Sequence, residues 1–136
     1  MKRLLVLAVV LATVPAVAFA AKVSAPRTAR VGDSITTKAR GLKAGRYAVT
    51  LALDNTAGPR TACVSRLGHL QDSVGGRVKI TGKIPRKLTC WENNSVKLGR
   101  VATSPGSYHL IVAVPNGPSG FDGDGSFVRR KLTIER

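Results

Sequence analysis

The stretch PGSYHLIVAV, residues 105–114, repeats a phrase that the chain has already used in AGRYAVTLAL, residues 44–53. In each copy a glycine and one polar residue precede a tyrosine, and a mostly apolar run follows. Every second residue of each run is aromatic or aliphatic, a period that is typical of a half-buried β-strand. The glycine before each tyrosine indicates the turn that leads into the strand. The phrase therefore predicts two strands that each begin at a tyrosine.

Several other segments alternate in the same way, and turn signals rich in glycine, proline and asparagine separate them. Residues 22–24 and 61–67 are weaker candidates, and residues 67–72 hold a helical turn at most. The pattern predicts an all-β chain: a single antiparallel β-sandwich of about seven short strands. The residues expected to face the core are Ile35, Thr37, Ala39, Tyr47, Val49, Leu51, Leu53, Val78, Ile80, Ile84, Tyr108, Leu110, Val112, Val114, Leu132 and Ile134.

The N-terminus has the three parts of a secretory signal peptide. Lys2 and Arg3 precede an apolar run, and the small residues Ala18 and Ala20 occupy the positions that a signal peptidase reads. An uncleaved membrane anchor is the alternative, but the run is short and Pro15 interrupts it. We therefore expect residues 1–20 to be removed and residues 21–136 to form one exported domain without a transmembrane segment, secreted or held in the periplasm or cell envelope.

Two cysteines, Cys63 and Cys90, are present. In an exported chain an isolated pair most often forms a disulfide. A redox or metal-binding pair is the alternative, but the spacing is not CxxC and no histidine is adjacent. The sequence therefore predicts a Cys63–Cys90 bond.

The tyrosine phrase resembles a known family. SPGSYHLIV, residues 104–112, is similar to the start of strand F in immunoglobulin-like domains, where Gly-x-Tyr marks the tyrosine corner. Residues 31–53 resemble the B-to-C region of bacterial secreted immunoglobulin-like and fibronectin-III-like domains. The resemblance implies that the sandwich is immunoglobulin-like, with tyrosine hydroxyls bonded to nearby backbone, and that its role is binding, adhesion or spacing rather than a reaction. Leu110 stands where antibody-type domains have their second disulfide cysteine, so Cys63–Cys90 would join a mid-chain strand to the segment before Trp91.

The chain is strongly basic, with 22 Lys and Arg against 7 Asp and Glu. Without Lys2 and Arg3, 20 cationic residues remain and the net charge is +13. Such a charge predicts attraction to polyanions, among them anionic envelope polymers and nucleic acid. Specific nucleic-acid recognition is disfavoured, because the mature chain has only five aromatic residues with which to stack on bases.

Basic residues concentrate in two segments. The basic residues around the strand at residue 80 should share the outward face of that strand. Three successive cations at residues 129–131 break the alternation of the last strand. Either a bulge turns Arg130 outward or the last strand starts late. A solvated face that discourages aggregation is the alternative to a polyanion site. The candidate polyanion-binding residues are Arg77, Lys79, Lys83, Arg86, Lys87, Arg129, Arg130 and Lys131.

The segment GFDGDGS, residues 120–126, has oxygen-bearing side chains at the spacing found at the start of a calcium-binding loop. Asp122, Asp124 and Ser126 stand at i, i+2 and i+4, which makes them candidate calcium ligands. The glutamate that closes such a loop is absent, since Thr133 occupies its position. A loop rich in glycine and aspartate that only joins two strands is the alternative.

No arrangement of catalytic residues is visible. The two histidines, His69 and His109, are isolated in the sequence, and no H-x-x-x-H or G-x-S-x-G motif occurs. We therefore expect a chain that is not an enzyme and needs no cofactor. The sequence favours an exported, non-catalytic binding or structural module acting on an unidentified protein or an anionic envelope polymer. The alternative is a secreted basic protein that binds polyanions mainly through charge.

Overall fold

A computed structural model describes residues 21–54, 60–115 and 127–136, which form ten β-strands and no helix. The alternation and the frequent turns thus produce the predicted all-β, sandwich-like fold. The strands are β1 (Lys22–Ser24), β2 (Thr28–Arg30), β3 (Ser34–Arg40), β4 (Arg46–Leu53), β5 (Thr61–Asp72), β6 (Val78–Lys83), β7 (Lys87–Glu92), β8 (Val96–Ala102), β9 (Gly106–Ala113) and β10 (Phe127–Glu135).

The strands form two sheets, one of three strands in the order β1-β3-β6 and one of seven in the order β2-β10-β9-β4-β5-β7-β8. All pairings are antiparallel except β2 with β10, which run parallel over three residue pairs. The two tyrosine-led strands β4 and β9 are neighbours at the centre of the larger sheet. The repeated phrase therefore encodes two adjacent core strands.

The core lies between the sheets and contains most of the side chains expected to face inward. Tyr108, Leu110, Val112, Leu132 and Leu51 are fully buried, and one cluster joins both sheets. Val114 is an exception, because β9 ends at Ala113 and leaves this side chain exposed. Leu53, at the end of β4, is only half-buried.

The expectation of half-buried central strands is wrong for β4 and β9. The residues between the core positions are also buried, although they lie outside the core cluster: Ala48, Thr50, Ile111 and Ala113. The hydroxyl of Thr50 is buried with no hydrogen-bond partner among the described residues. Apolar alternation identifies the core face of a strand but cannot tell whether its other face is covered.

The structure has more strands than the seven expected. The sequence analysis did not identify three strands: β2 has only three residues, β8 has no buried residue, and β7 has six residues of which Leu88 and Cys90 are buried. The expected helical turn after Leu67 is wrong, because β5 continues to Asp72. Tyr47 and Val49 are two residues apart on β4, but their partners Gln71 and Leu67 are four residues apart on β5. β5 therefore has two extra residues here, which form a bulge containing Gly68.

The backbones of β5 and β6 come into close contact at two glycines. Gly68 has a φ of +70°, a conformation that side-chain-bearing residues rarely adopt. A Cβ atom on Gly82 would lie 2.4 Å from the Gly68 nitrogen. This contact is where β5, in the larger sheet, passes against β6, in the smaller one.

The predicted disulfide is confirmed. Cys63 and Cys90 are opposite partners on β5 and β7, with a Cα–Cα distance of 3.9 Å, and both are buried. The bond thus joins a mid-chain strand to the strand that contains Trp91.

Two predictions fall outside the described residues: the signal peptide at residues 1–20, and the calcium loop with Asp122, Asp124 and Ser126. Within the part of the chain that the structure describes, no helix is long and apolar enough to cross a membrane.

Candidate functional site: a basic face on the three-stranded sheet

The outward face of the three-stranded sheet carries six cationic side chains. β3 and β6 alternate between buried apolar residues and exposed polar ones, so their outward positions fall on one surface. We call this surface the basic face; its cations are Lys22, Lys38, Arg40, Arg77, Lys79 and Lys83, all of them exposed.

The strand register places these cations opposite one another. Lys22 of β1 pairs with Arg40 of β3, and Lys38 of β3 pairs with Lys79 of β6. The same register, continued by one residue, puts Arg77 next to Arg40. Neighbouring strands are about 4.8 Å apart and alternate residues of one strand about 6.7 Å apart, so five of the six cations occupy two adjacent rows.

None of the outward residues of this sheet is acidic. The other outward positions are serine and threonine, among them Thr36 and Thr81, whose hydroxyls share a 2.8 Å hydrogen bond. Among the described residues, no carboxylate forms an ion pair with a cation of the basic face. Like charges directly opposite on a sheet are destabilising, by roughly 0.2–1 kcal/mol for each pair. The arrangement therefore costs folding stability.

The structure separates the predicted polyanion-binding residues into different regions. Arg77, Lys79 and Lys83 lie on the basic face as expected. Arg86 and Lys87 follow β6 at the turn into β7 of the other sheet, at the end of the molecule away from Arg77. Because Arg77 and Lys83 are six residues apart on a strand, about 20 Å separates the two ends of this segment.

The basic segment at the C-terminus lies on the larger sheet. Arg129 and Lys131 occupy its outer side, opposite Ile111 and His109 of β9. Arg130 alternates to the inner side and is half-buried, and its guanidinium donates a 3.1 Å hydrogen bond to the carbonyl of Val23. Both explanations offered for this segment are wrong, because β10 begins at Phe127 and pairs with β9 without a bulge.

Three cations of the basic face were missed by sequence analysis: Lys22, Lys38 and Arg40. Lys38 and Arg40 alternate with the buried residues of β3, so their outward direction was evident. What the sequence did not reveal is that β3 lies between β1 and β6, which brings the cations of three strands together.

A histidine–carboxylate pair lies on the outer side of the larger sheet. The Nδ1 atom of His109 is hydrogen-bonded to the Asp54 carboxylate, and both side chains are largely buried. Because Leu53 pairs with Tyr108, Asp54 lies diagonally across from His109. His109, which is isolated in the sequence, thus has a carboxylate neighbour in the structure. The pair orients the imidazole, but catalysis by such a pair needs a third group to exchange the proton.

Both tyrosines of the repeated phrase make the same contact. The hydroxyl of Tyr108 donates a 2.6 Å hydrogen bond to the carbonyl of Ser104, and that of Tyr47 donates a 2.9 Å bond to the carbonyl of Lys43. Each acceptor lies four residues before its tyrosine, so the predicted backbone anchors are present in both copies. The phrase thus stabilises the turn before each central strand.

Replacing Tyr108 by phenylalanine should destabilise the protein by about 1 kcal/mol, because the Ser104 carbonyl loses its donor. Chemical denaturation measures the change, and Ser107→Ala serves as a nearby control outside the corner. An unchanged midpoint would contradict a stabilising role for this hydrogen bond.

The same variant should show a pH signature. Burial raises the pKa of Tyr108 above its ordinary value of 10.0. The unfolded chain therefore loses the phenolic proton first, and the stability contributed by the neutral phenol, complete below about pH 10, falls as the pH rises further. The difference in stability between wild type and Tyr108→Phe should decrease over that range.

Among the described residues no group of three or more histidines, cysteines and carboxylates is placed to hold a metal ion. The calcium loop predicted at residues 120–126 lies outside the described residues.

The fold has a counterpart among solved structures. The chain is similar to macromomycin, with a TM-score of 0.57 and 16% sequence identity, and the match covers 85% of this chain and 100% of macromomycin. At that identity the likeness shows the all-β, sandwich-like fold alone. No protein-family model matches the chain, and no curated protein matches it either.

Proposed function

We propose that this chain is an exported, non-catalytic, immunoglobulin-like binding module that binds anionic polymers of the cell envelope through the basic face. The observation that carries the proposal is the alignment of six exposed cations across three strands with no acidic residue between them. A bound polyanion would relieve the repulsion within this cluster, and each neutralised anionic group would release a counterion.

Protection against aggregation explains this face less well than binding does. Charges discourage edge-to-edge pairing when they lie on edge strands. Lys38 and Arg40, however, lie on β3, which has a hydrogen-bonded neighbour on both sides and no free edge. Their charges serve no such purpose there, and their repulsion toward Lys79 and Lys22 remains a cost.

The basic face suits an anionic polymer that is recognised by its charge better than a nucleic acid that is recognised by its bases. No aromatic residue occupies an outward position of the three-stranded sheet, so the face offers no stacking platform. The immunoglobulin-like character is supported by the two tyrosine anchors, and export by the signal-peptide pattern and the disulfide.

The test reverses three charges of one strand. Arg77, Lys79 and Lys83, all replaced by glutamate, should abolish binding to heparin or teichoic acid at physiological salt. With wild-type protein, affinity should fall steeply as salt rises. In the variant the plot of log affinity against log salt should be less steep, its slope smaller in magnitude by about three. The variant should fold, because Lys79→Glu places a carboxylate opposite Lys38 and replaces repulsion across the strands by attraction.

A matched control makes the same change of net charge elsewhere. Arg66, Lys97 and Arg100 are exposed residues of the seven-stranded sheet, and replacing all three by glutamate removes as much positive charge. Equal loss of binding in both triple variants would mean that only the overall charge matters. Binding insensitive to salt would instead favour a module that recognises a partner by shape.

A further inference from the structure

One end of the basic face contains a cleft. Its volume is about 650 Å³, and its lining includes five cations of the basic face and the exposed side chain of Val74. The charged lining residues are Lys22, Lys38, Arg40, Arg77 and Lys79; of the apolar ones only Val74 is exposed, since Ala39 and Val78 belong to the core and Val23 packs against it.

The five cations of the cleft form a compact cluster across three strands rather than a single line. They occupy two rows, with about 4.8 Å between neighbouring strands and about 6.7 Å between the rows. Cations that surround one cleft at this spacing suit a compact group that carries more than one negative charge. A phosphate monoester, with a charge near −2 and three terminal oxygens, is such a group.

The two arginines add geometric selectivity. A guanidinium presents its N–H donors as a planar fork that matches two phosphate oxygens, whereas a lysine acts as a point charge. Arg40 and Arg77 are neighbours in the register and both line the cleft, with Lys22 beside Arg40. This combination favours phosphate over a single carboxylate.

An exposed valine supplies an apolar wall. Val74 is 78% exposed at the first position of a tight turn, which is closed by hydrogen bonds in both directions between its backbone and that of Arg77. Gly75 and Gly76 have the positive φ angles that such a turn requires. Val74 contributes little to the core, but it is held rigidly beside the cations, where it can contact the carbon part of a phosphorylated ligand.

We propose that this cleft binds the terminal phosphate or pyrophosphate group of an organic molecule, with Arg40 and Arg77 on the phosphate oxygens and Val74 against the attached carbon chain. The inference rests on the proposed function, since the cleft is part of the same basic face. It specifies the ligand group that anchors an anionic envelope molecule, whether that group ends a glycan or a lipid.

Titration calorimetry at low salt provides the first test, with inorganic pyrophosphate and acetate as probes. Pyrophosphate should bind, and acetate at equal ionic strength should bind at least about tenfold more weakly. Arg40→Gln and Arg77→Gln should each weaken pyrophosphate binding by about tenfold. The controls Arg66→Gln and Arg100→Gln remove the same charge from the other sheet and should leave binding within about twofold. The inference would be overturned if the two control variants weakened pyrophosphate binding as much as Arg40→Gln and Arg77→Gln do. Equal affinity for pyrophosphate and acetate would overturn it as well.

A second test addresses the valine and the source of the phosphate. Octyl phosphate and a sugar 1-phosphate are compared with inorganic phosphate, and at least one ester should bind more tightly. Preference for octyl phosphate indicates a lipid source, and preference for the sugar phosphate indicates a glycan. Val74→Ser should weaken binding of the preferred ester but leave pyrophosphate binding unchanged. An ester no tighter than inorganic phosphate would contradict the proposed role of Val74.

The two proposals fail in distinguishable ways. If the triple glutamate variant on β6 still loses heparin binding while pyrophosphate shows no dependence on Arg40 and Arg77, the cleft inference is wrong and polymer binding stands. If the matched triple variant on the seven-stranded sheet loses heparin binding equally, the proposed function is wrong as well.

Discussion

Replacing Gly82 by alanine should destabilise the protein by about 3 kcal/mol or more. A Cβ atom at this position would lie 2.4 Å from the Gly68 nitrogen and 2.7 Å from the Leu67 carbonyl carbon. Both are backbone atoms, so no side-chain rotation relieves the overlap. β5 and β6 would have to separate, and the core between the two sheets would lose contacts.

Chemical denaturation measures this loss, and Gly75→Ala is the matched control. Unlike Gly82, Gly75 lies in the left-handed region, at a φ of +58°, but a Cβ atom there has no neighbour within 4 Å. Its replacement should therefore cost only the backbone strain, about 1 kcal/mol. Gly68→Ala combines both effects, since its Cβ would lie 2.4 Å from the Thr81 carbonyl oxygen at a φ of +70°. If Gly82→Ala were as mild as Gly75→Ala, the close approach of the two strands would be wrong.

Removing the disulfide should have the next largest effect, a loss of roughly 2–4 kcal/mol. The bond links residues 27 positions apart, so it restricts the unfolded chain, and both sulfurs lie in the core. Replacing Cys63 and Cys90 together by serine would also bury two hydroxyls in apolar surroundings, which adds to the cost.

Two comparisons separate these contributions. The double alanine variant removes the bond without burying hydroxyls, and reduced wild-type protein keeps both side chains. The serine variant, the alanine variant and reduced wild-type protein should all unfold at a lower denaturant concentration than the oxidised protein. The serine variant should be the least stable of them. Equal midpoints for reduced and oxidised protein would mean that the bond contributes nothing to stability.

Much of the fold could be predicted from period-two patterns, and the reasons are local. Tyr47, Val49 and Leu51 alternate with smaller or polar residues, and so do Leu132 and Ile134, because each strand places one side of its period against the core. β8 could not be found in this way, because it is an edge strand whose Val96 and Leu98 are exposed.

The candidate site was only partly predictable, because it depends on which strands are neighbours. The outward direction of Arg77, Lys79 and Lys83 follows from β6 alone. Lys22 and Arg40 join them only because β3 lies between β1 and β6. The contact of Asp54 with His109 likewise requires the pairing of β4 with β9, which brings together residues 55 positions apart. Local periodicity carries no information about such long-range neighbours.

The parallel pairing of β2 with β10 determines how the domain responds to mechanical tension. β2 lies near the start of the described domain and β10 at its end, and their three residue pairs run side by side in the same direction. A pull on the two ends therefore slides these strands along each other, so that the hydrogen bonds between them are loaded together rather than opened one after another. Loaded in this way, β2 resists separation from β10 more strongly than it would if the pairs opened in succession.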